Sequence, residues 1–290
     1  MEGSSFMSKK INSAKRIQKL AHAFICPLCG SPVKVVELKS LVCDQSHNFD
    51  FTKQGYLNLL THAVKSHYSK ELFQARQQII MDAELYKPLH DEFVAIIDQM
   101  PGHKVVADLG CGEGSHLQKI VDKVNAKEID AIGIDIAKEG ILMAAKNYDE
   151  LIWLVCDLAK SPIGNGAVDV ILNILSPSNY EEFKRMLAPE GVVVKVVPGE
   201  RYLHELRAFL YEESEYSNEQ TVSLFNRHFD LVQTKRVSYA KNLNQFDLAN
   251  LVTMTPLAWK GKEEKIKQFM NQTSANITVD LELLIGRKKR

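Results

Sequence analysis

The sequence predicts an α/β protein in which a parallel sheet, covered by helices on both faces, follows a small zinc-binding β module. Three observations carry this reading. Short apolar runs alternate with helical patterns from about residue 101 onward; a glycine-rich turn closes the first of those runs; and three cysteines and a histidine cluster ahead of it at metal-ligand spacing.

The 290 residues, 45% hydrophobic and 25% charged, have an ordinary globular composition and exclude a collagenous or disordered chain. That length fits one large domain and one small one. We divide it into an N-terminal extension (1–21), a zinc-binding module (22–60), a helical connector (61–100) and a cofactor-binding domain (101–290). No run approaches the roughly 18 apolar residues that a spanning helix needs, and the start is polar and basic, so a cytoplasmic protein without a membrane partner is expected. The formal charge is zero, but residues 1–76 hold eleven Lys or Arg against five Asp or Glu, a +6 front end facing a −6 remainder. Phosphate contact belongs to that front. The simpler alternative for Lys9, Lys10, Lys15, Arg16 and Lys19 is a solvated tail.

Cys26-Pro-Leu-Cys29-Gly is followed by Cys43 and His47, giving C-x2-C-x13-C-x3-H. Zinc prefers a tetrahedral set of thiolate and imidazole, and four protein ligands leave no open position for catalysis, so the zinc is structural. A thioredoxin-like redox pair is the weaker reading because no βαβ pattern surrounds it. The intervening VKVVELKSLVCD reads as two strands meeting near Lys39-Ser40, a hairpin too small to fold without its metal. Cys111 and Cys156 read as small core residues. His22, His62, His67 and His90 fall outside the spacing and are assigned no role.

FDF at 49–51 reads as a strand and Gln54-Gly55 as a turn; from Lys70 to about Met100 the apolar positions recur at helical intervals, predicting two helices. Arg76 and Gln77 sit where contact with RNA or cofactor is conceivable, a solvated helix face being the simpler reading.

The run Val105–Leu109 ends in Gly110-Cys111-Gly112-Glu113-Gly114, after which SHLQKIVDKV reads as a helix. Glycines let the backbone turn sharply and approach a ligand, and the helix start offers free amides. Asp108 reads as an organiser of this loop. The second strand, Ala131–Ile136, carries Asp135 near its C-terminal end, placed for a ribose diol, although the same position serves dinucleotides. The third, Leu151–Val155, leads to Asp157, suited to an adenine amino group, and Leu158, an apolar wall. Capping of the next helix is the alternative for both carboxylates. Strand four runs from Val168 to Ile174, a helix from Tyr180 to Leu187 and strand five from Gly191 to Val197. A helix near 202–213 and strands near 229–239 and 275–286 complete a seven-stranded, Rossmann-like sheet with ligands outside the strands' C-terminal ends.

Taken together, the Cys26, Cys29, Cys43, His47 set, FDFTKQGYLNLL, LFQARQQII, DLGCGEG, LSPSNYEEFKRML and LVTMTPLAW resemble the RlmA family of 23S rRNA guanine-N1 methyltransferases over nearly the whole chain from about residue 22. LSPSNYEEFKR is more similar to the Gram-positive branch, which includes the tylosin-resistance enzymes. The resemblance implies a class I methyltransferase fold, S-adenosylmethionine as cofactor, a homodimer whose zinc modules help form an RNA cleft, and methylation of N1 of a guanine in a domain II hairpin, with the guanine 748 type favoured over guanine 745. It implies cofactor contacts at Tyr86, Glu113 and Gly114, which join Asp108, Gly110, Gly112, Asp135, Asp157 and Leu158. The family has a histidine near the cofactor where this chain has Tyr202; either Tyr202 or His204 takes that contact. The target base is expected beyond strand four, at Asn173, Ser176, Pro177 and Asn179, with the loop carrying Met254, Thr255 and Trp259 closing over it. No general base is identified. A methyltransferase of a small molecule or protein is the alternative.

Overall fold

Residues 2–19 do not form a tail. In the computed structural model, which describes residues 2–62, 64, 68–124, 129–211 and 216–289, helix α1 spans Glu2–Lys19. Ala14, Ile17 and Leu20 recur at intervals of three and are buried, whereas Lys15 and Lys19 face solvent. That is the stripe of an amphipathic helix seated on a core. Lys9 meets Asp149 at 2.5 Å and Lys19 meets Asp130 at 3.3 Å. Exposed pairs of this kind contribute roughly 0–1 kcal/mol, so the buried stripe does most of the anchoring.

The zinc module is the expected hairpin extended by one strand: β1 (Val33–Val36), β2 (Ser40–Cys43) and β3 (Asn48–Asp50) form an antiparallel meander in which Val33 pairs with Cys43. The chain then leaves the module as β4 (Leu57–Asn58), which pairs parallel with a strand of the main sheet. His67 lies outside the described residues. Helix α2 (Lys70–Gln77), capped by the Ser69 hydroxyl, continues into a π-helical turn at Gln78–Asp82; α3 (Lys87–Asp98) carries Pro88 in its first turn.

The main domain then alternates β5 (Lys104–Leu109), α4 (Ser115–Val121), β6 (Ile129–Asp135), α5 (Lys138–Asn147), β7 (Ile152–Val155), β8 (Val168–Ile174), α6 (Tyr180–Met186) and β9 (Leu187–Pro198). It ends with α7 (His204–Leu210), α8 (Glu219–His228), β10 (Phe229–Asn244), α9 (Gln245–Met254), α10 (Glu263–Met270) and β11 (Ser274–Lys288). The spatial order is β10-β11-β9-β8-β5-β6-β7-β4. Six strands from β9 to β4 run parallel, while β11 is antiparallel to both β9 and β10. The seven expected strands are present, and β4 adds an eighth at the edge. Strand order reverses between β5 and β8, so a crevice opens beyond their C-terminal ends, as in open α/β sheets generally. Helices α8, α9 and α10 and the helical form of residues 2–19 were not anticipated from the sequence.

The link from β7 to β8 holds only a short 3-10 turn, Leu158–Lys160, where a parallel crossover usually supplies a helix. Helix α1 and the zinc module cover the face this leaves. Phe24, Leu41, Phe51, Leu57 and Leu59 share one buried cluster with Ile132, Ile134, Ile152 and Leu154 of the sheet. The Ile25 amide donates to the Pro162 carbonyl at 2.7 Å, and the Gly164 amide to that of Ala23 at 2.8 Å. Among the described residues no helix is long and apolar enough to cross a membrane.

If α1 is part of this core, Ile17→Ala lowers the free energy of unfolding by about 2–5 kcal/mol in a urea titration. A change below about 0.5 kcal/mol would show that the helix does not pack in solution.

Candidate functional site

The knuckle places Cys26, Cys29, Cys43 and His47 so that their ligand atoms all lie within 4.8 Å of one another. The Cys29 and Cys43 sulfurs are 3.7 Å apart and His47 Nδ1 lies 3.4 Å from the Cys43 sulfur. A tetrahedral ion with Zn–S bonds near 2.3 Å separates two sulfurs by about 3.8 Å, so the donor set fits zinc in both chemistry and spacing. Hydrogen bonding with Ser31 holds the Cys29 thiol down to about 6.

At the crevice, the glycine loop is required by its neighbours. Gly110 has φ +86°, and a Cβ there would lie 2.0 Å from the Ser176 hydroxyl; Gly114 has φ +81°, and a Cβ would lie 2.3 Å from the Trp153 ring. Both are left-handed positions under close approach, which only glycine tolerates. Asp135 fastens the loop from β6: its carboxylate accepts the Gly112 amide at 2.8 Å and the Ala137 amide at 2.7 Å. A carboxylate has about four acceptor sites, so these bonds leave room for a ribose diol.

Behind the loop, Glu113 is fully buried and lies 2.8 Å from Arg76 Nε, as a charge contact without hydrogen-bond alignment. Asp108 is also buried, and its Oδ1 has no hydrogen-bond partner. Burial pushes the Asp108 carboxyl up to about 7; Asp135 and Glu113 add to this and Arg76 opposes it. Burial also raises Glu113 and Asp135. Three carboxylates thus surround one guanidinium, with an orphaned acceptor among them. Such a cradle fits a ligand bearing ammonium and sulfonium charges.

Tyr86 and Tyr202 join hydroxyl to hydroxyl at 2.7 Å, whereas His204 is exposed at the start of α7. Tyr202 lines the adjoining cavity, and His204 is not among the residues that do. Asp157 caps the short turn by accepting the Ala159 amide at 2.8 Å, the capping role weighed for it, and Leu158 beside it is half-buried.

A cavity of about 600 Å³ adjoins this cradle, and Arg76, Tyr86, His116, Tyr202, Ser176, Lys195, Met254 and Thr255 are among the residues that line it. Of the residues expected around the target base, Ser176, Met254 and Thr255 line it. Asn173 is fully buried and does not: its amide donates to the Leu109 and Pro177 carbonyls at 2.8 and 3.1 Å. Pro177 is exposed, and Asn179 caps α6 through the Glu182 amide. Trp259 is 55% exposed and packs against Tyr68 with ring centroids 6.0 Å apart. Sequence reading missed Lys195 and His116. A lone lysine within GVVVKVVP was the signal for the first; nothing local marked the second.

Fold and site together define a class I methyltransferase with an appended zinc ribbon. The RlmA N-terminal family profile matches residues 24–69, and a methyltransferase domain profile matches residues 106–191. A Bacillus subtilis (strain 168) protein, YxjB, bearing a 23S rRNA (guanine-N(1)-)-methyltransferase designation, is 42% identical over 273 residues, covering 91% of this chain and 97% of its own. A Micromonospora griseorubida protein with the same designation is 27% identical, covering 90% and 95%. The Streptomyces fradiae 23S rRNA (guanine(748)-N(1))-methyltransferase is 26% identical, covering 81% and 85%. The chain belongs to the RlmA family of 23S rRNA (guanine-N1)-methyltransferases. Its methyltransferase domain implies S-adenosylmethionine, and its Cys/His cluster a structural zinc.

Elemental analysis of purified protein is expected to give one zinc per chain; less than half an equivalent after growth in zinc would exclude the site. A second prediction concerns Asp108. Its folded pKa is raised to about 7 from an ordinary 3.8, so between those values the folded state holds the extra proton and stability falls as pH rises, the loss being complete above 7. Asp108→Asn removes this slope. In urea titrations without cofactor, the variant's stability relative to wild type is higher at pH 8 than at pH 4, while calorimetry shows at least tenfold weaker S-adenosylmethionine binding. An equal difference at both pH values would contradict the buried-carboxylate reading.

Proposed function

We propose that this protein methylates N1 of guanine 748 in the domain II hairpin of 23S rRNA, as a cytoplasmic homodimer. The observation that carries this is a cavity free of carboxylates beside the acidic cradle, which it meets at Arg76 and which Tyr86, Tyr202, Ser176 and Thr255 help to line. The choice of guanine 748 over 745 is supported by the Streptomyces fradiae relative and by LSPSNYEEFKR.

The division into 1–21, 22–60, 61–100 and 101–290 is our working description of the chain. Asp135 and Asp157 would take the ribose and adenine of the cofactor, with Leu158 as wall; Tyr86, Glu113, Gly114 and Tyr202 would hold its amino-acid end, with Asp108 facing the ammonium. When bound, the cofactor supplies a methyl group on a sulfonium. The chain's own residues hold the base against it. Guanine N1 carries a proton and lies on the pairing edge, so the base must be unstacked, which costs a few kcal/mol and less in a loop. In-line positioning of N1 is then the largest contribution the cavity can make.

The basic front end supports RNA contact, though not through all its charges. Lys9 and Lys19 are paired with Asp149 and Asp130, and Lys39 with Glu37. Lys15 and Lys34 are exposed. The exposed Leu28 and Val36 on the zinc module are consistent with a further contact there, to RNA or to a second copy.

Methylation of hairpin transcripts tests the proposal. Wild-type protein should modify the native hairpin, lose activity when guanine 748 becomes adenine and keep it when guanine 745 does; the reverse pattern would overturn the site assignment. Lys15→Glu with Lys34→Glu should weaken transcript binding about tenfold and reduce its salt slope by about 2, with cofactor affinity unchanged. Unchanged salt dependence would remove the front end from the RNA interface.

A further inference from the structure

Lys195 lies in the C-terminal half of β9, with valines at 192–194 before it and at 196–197 after it, and only 5% of it is exposed, yet it lines the cavity. Its Nζ donates to Asn173 Oδ1 at 2.7 Å and to the Ser176 carbonyl at 3.0 Å. Asn173 is itself held by its bonds to Leu109 and Pro177 and by the Ser178 hydroxyl, which donates to Oδ1 at 2.9 Å. The lysine nitrogen is therefore fixed. Two acceptors engage two N–H groups and leave one tetrahedral position of the nitrogen, carrying a proton or a lone pair, for the cavity.

Among the described residues no carboxylate pairs with Lys195, and none lines the cavity. The charged groups facing the same space are the cationic Arg76, Arg207 and Lys260; His116 and four tyrosine hydroxyls are the other titratable groups. Packing alone would be served as well by methionine, since a buried amine without a counter-ion carries a desolvation penalty. An amine placed here needs another explanation, and the reaction offers one: guanine N1 must lose a proton as it gains a methyl group.

We infer that Lys195, as the neutral amine, accepts the N1 proton of the target guanine during methyl transfer. This rests on the reading of the cavity given above. The N1–H bond breaks and the proton passes to Nζ; the pair left on N1 forms the bond to the methyl carbon; the carbon–sulfur bond breaks with its pair going to sulfur. The products are N1-methylguanine, the thioether and ammonium on Lys195. The sulfonium charge disappears as the ammonium charge appears, so the site's net charge is unchanged. Desolvation lowers Lys195 to about 8, which leaves a substantial neutral fraction near pH 7.5. His116 is a poorer base because burial drives it well below its ordinary value and its Nδ1 is bonded to His90 at 2.8 Å.

The test is single-turnover methylation of the hairpin transcript from pH 6 to 9.5 with both substrates saturating. The wild-type rate should rise about tenfold per pH unit below 8 and level off above it. Lys195→Met should be slower by about 10²–10⁴-fold, bind S-adenosylmethionine normally by calorimetry, and show no plateau near 8. Lys195→Ala should recover activity with added ethylamine, and more with more basic amines of similar size. Lys195→Met within threefold of wild type would overturn the inference. So would a loss equal at every pH without amine rescue, which marks a residue that only positions the loop. Wild-type protein inactive on every transcript would instead overturn the substrate assignment, and this role with it.

Discussion

A parallel sheet has to be covered on both faces, and in this protein one face lacks the helix that would normally cover it. The β7–β8 link crosses back with only a short 3-10 turn instead of a helix, so the apolar residues Ile132, Ile134, Ile152 and Leu154 depend on chain from the other end of the sequence. Helix α1 and the zinc hairpin meet that need, and β4 extends the same edge. The metal therefore does more than close a hairpin. Zinc binding, on the order of 10–16 kcal/mol for small modules, stabilises the lid over β6 and β7 and, through Asp135 at the end of β6, the seat of the glycine loop. Zinc ribbon and methyltransferase core are thus one energetic unit despite being separate in sequence.

The second organising feature is a separation of charge across the crevice. Asp108, Glu113 and Asp135 gather around Arg76 where a cationic cofactor fits, whereas the adjoining cavity carries Arg76, Arg207, Lys195 and Lys260 and no carboxylate. Carboxylates whose pKa is raised by burial destabilise the folded chain at neutral pH, and a bound cation relieves that penalty. The site is in this sense built for the complex at the expense of the empty protein. Strain points the same way: Leu175, on the cavity wall at the end of β8, sits at φ +53°, where a leucine is disfavoured.

What could be read from the sequence was whatever has a local signature. The zinc set shows in four residues at fixed spacing, the glycine loop in five, and strands β5 to β8 in apolar runs of ordinary length. Helix α1 could not be read, because Ala14, Ile17 and Leu20 are too sparse a stripe to outweigh the lysines around them, and one element they pack toward, β7, lies more than about a hundred residues away. Asn173 was expected near the base from its position at the switch edge of the sheet; its side chain turns inward, where the Leu109 carbonyl and Lys195 satisfy it. The contact of Trp259 with Tyr68 joins segments that no local pattern could pair. Lys195 was overlooked for the opposite reason, since a valine-rich run absorbs one lysine in any periodicity argument.

The placement of Asn173 couples the two halves of the site. Asn173 touches both the Leu109 carbonyl, one residue before the glycine loop, and Lys195, which faces the cavity. Gly110 packs so closely on Ser176 that the loop cannot shift without moving the carbonyl that holds Lys195. A disturbance of the glycine loop is therefore transmitted to the lysine through two short paths, one of hydrogen bonds and one of van der Waals contact. Ångström-scale misplacement is enough to lose much of the benefit of positioning, so a fixed geometry here matters more than any single contact's energy. The strand reversal between β5 and β8 brings the loop and the lysine to the same edge, and the sheet's rigidity keeps them in register.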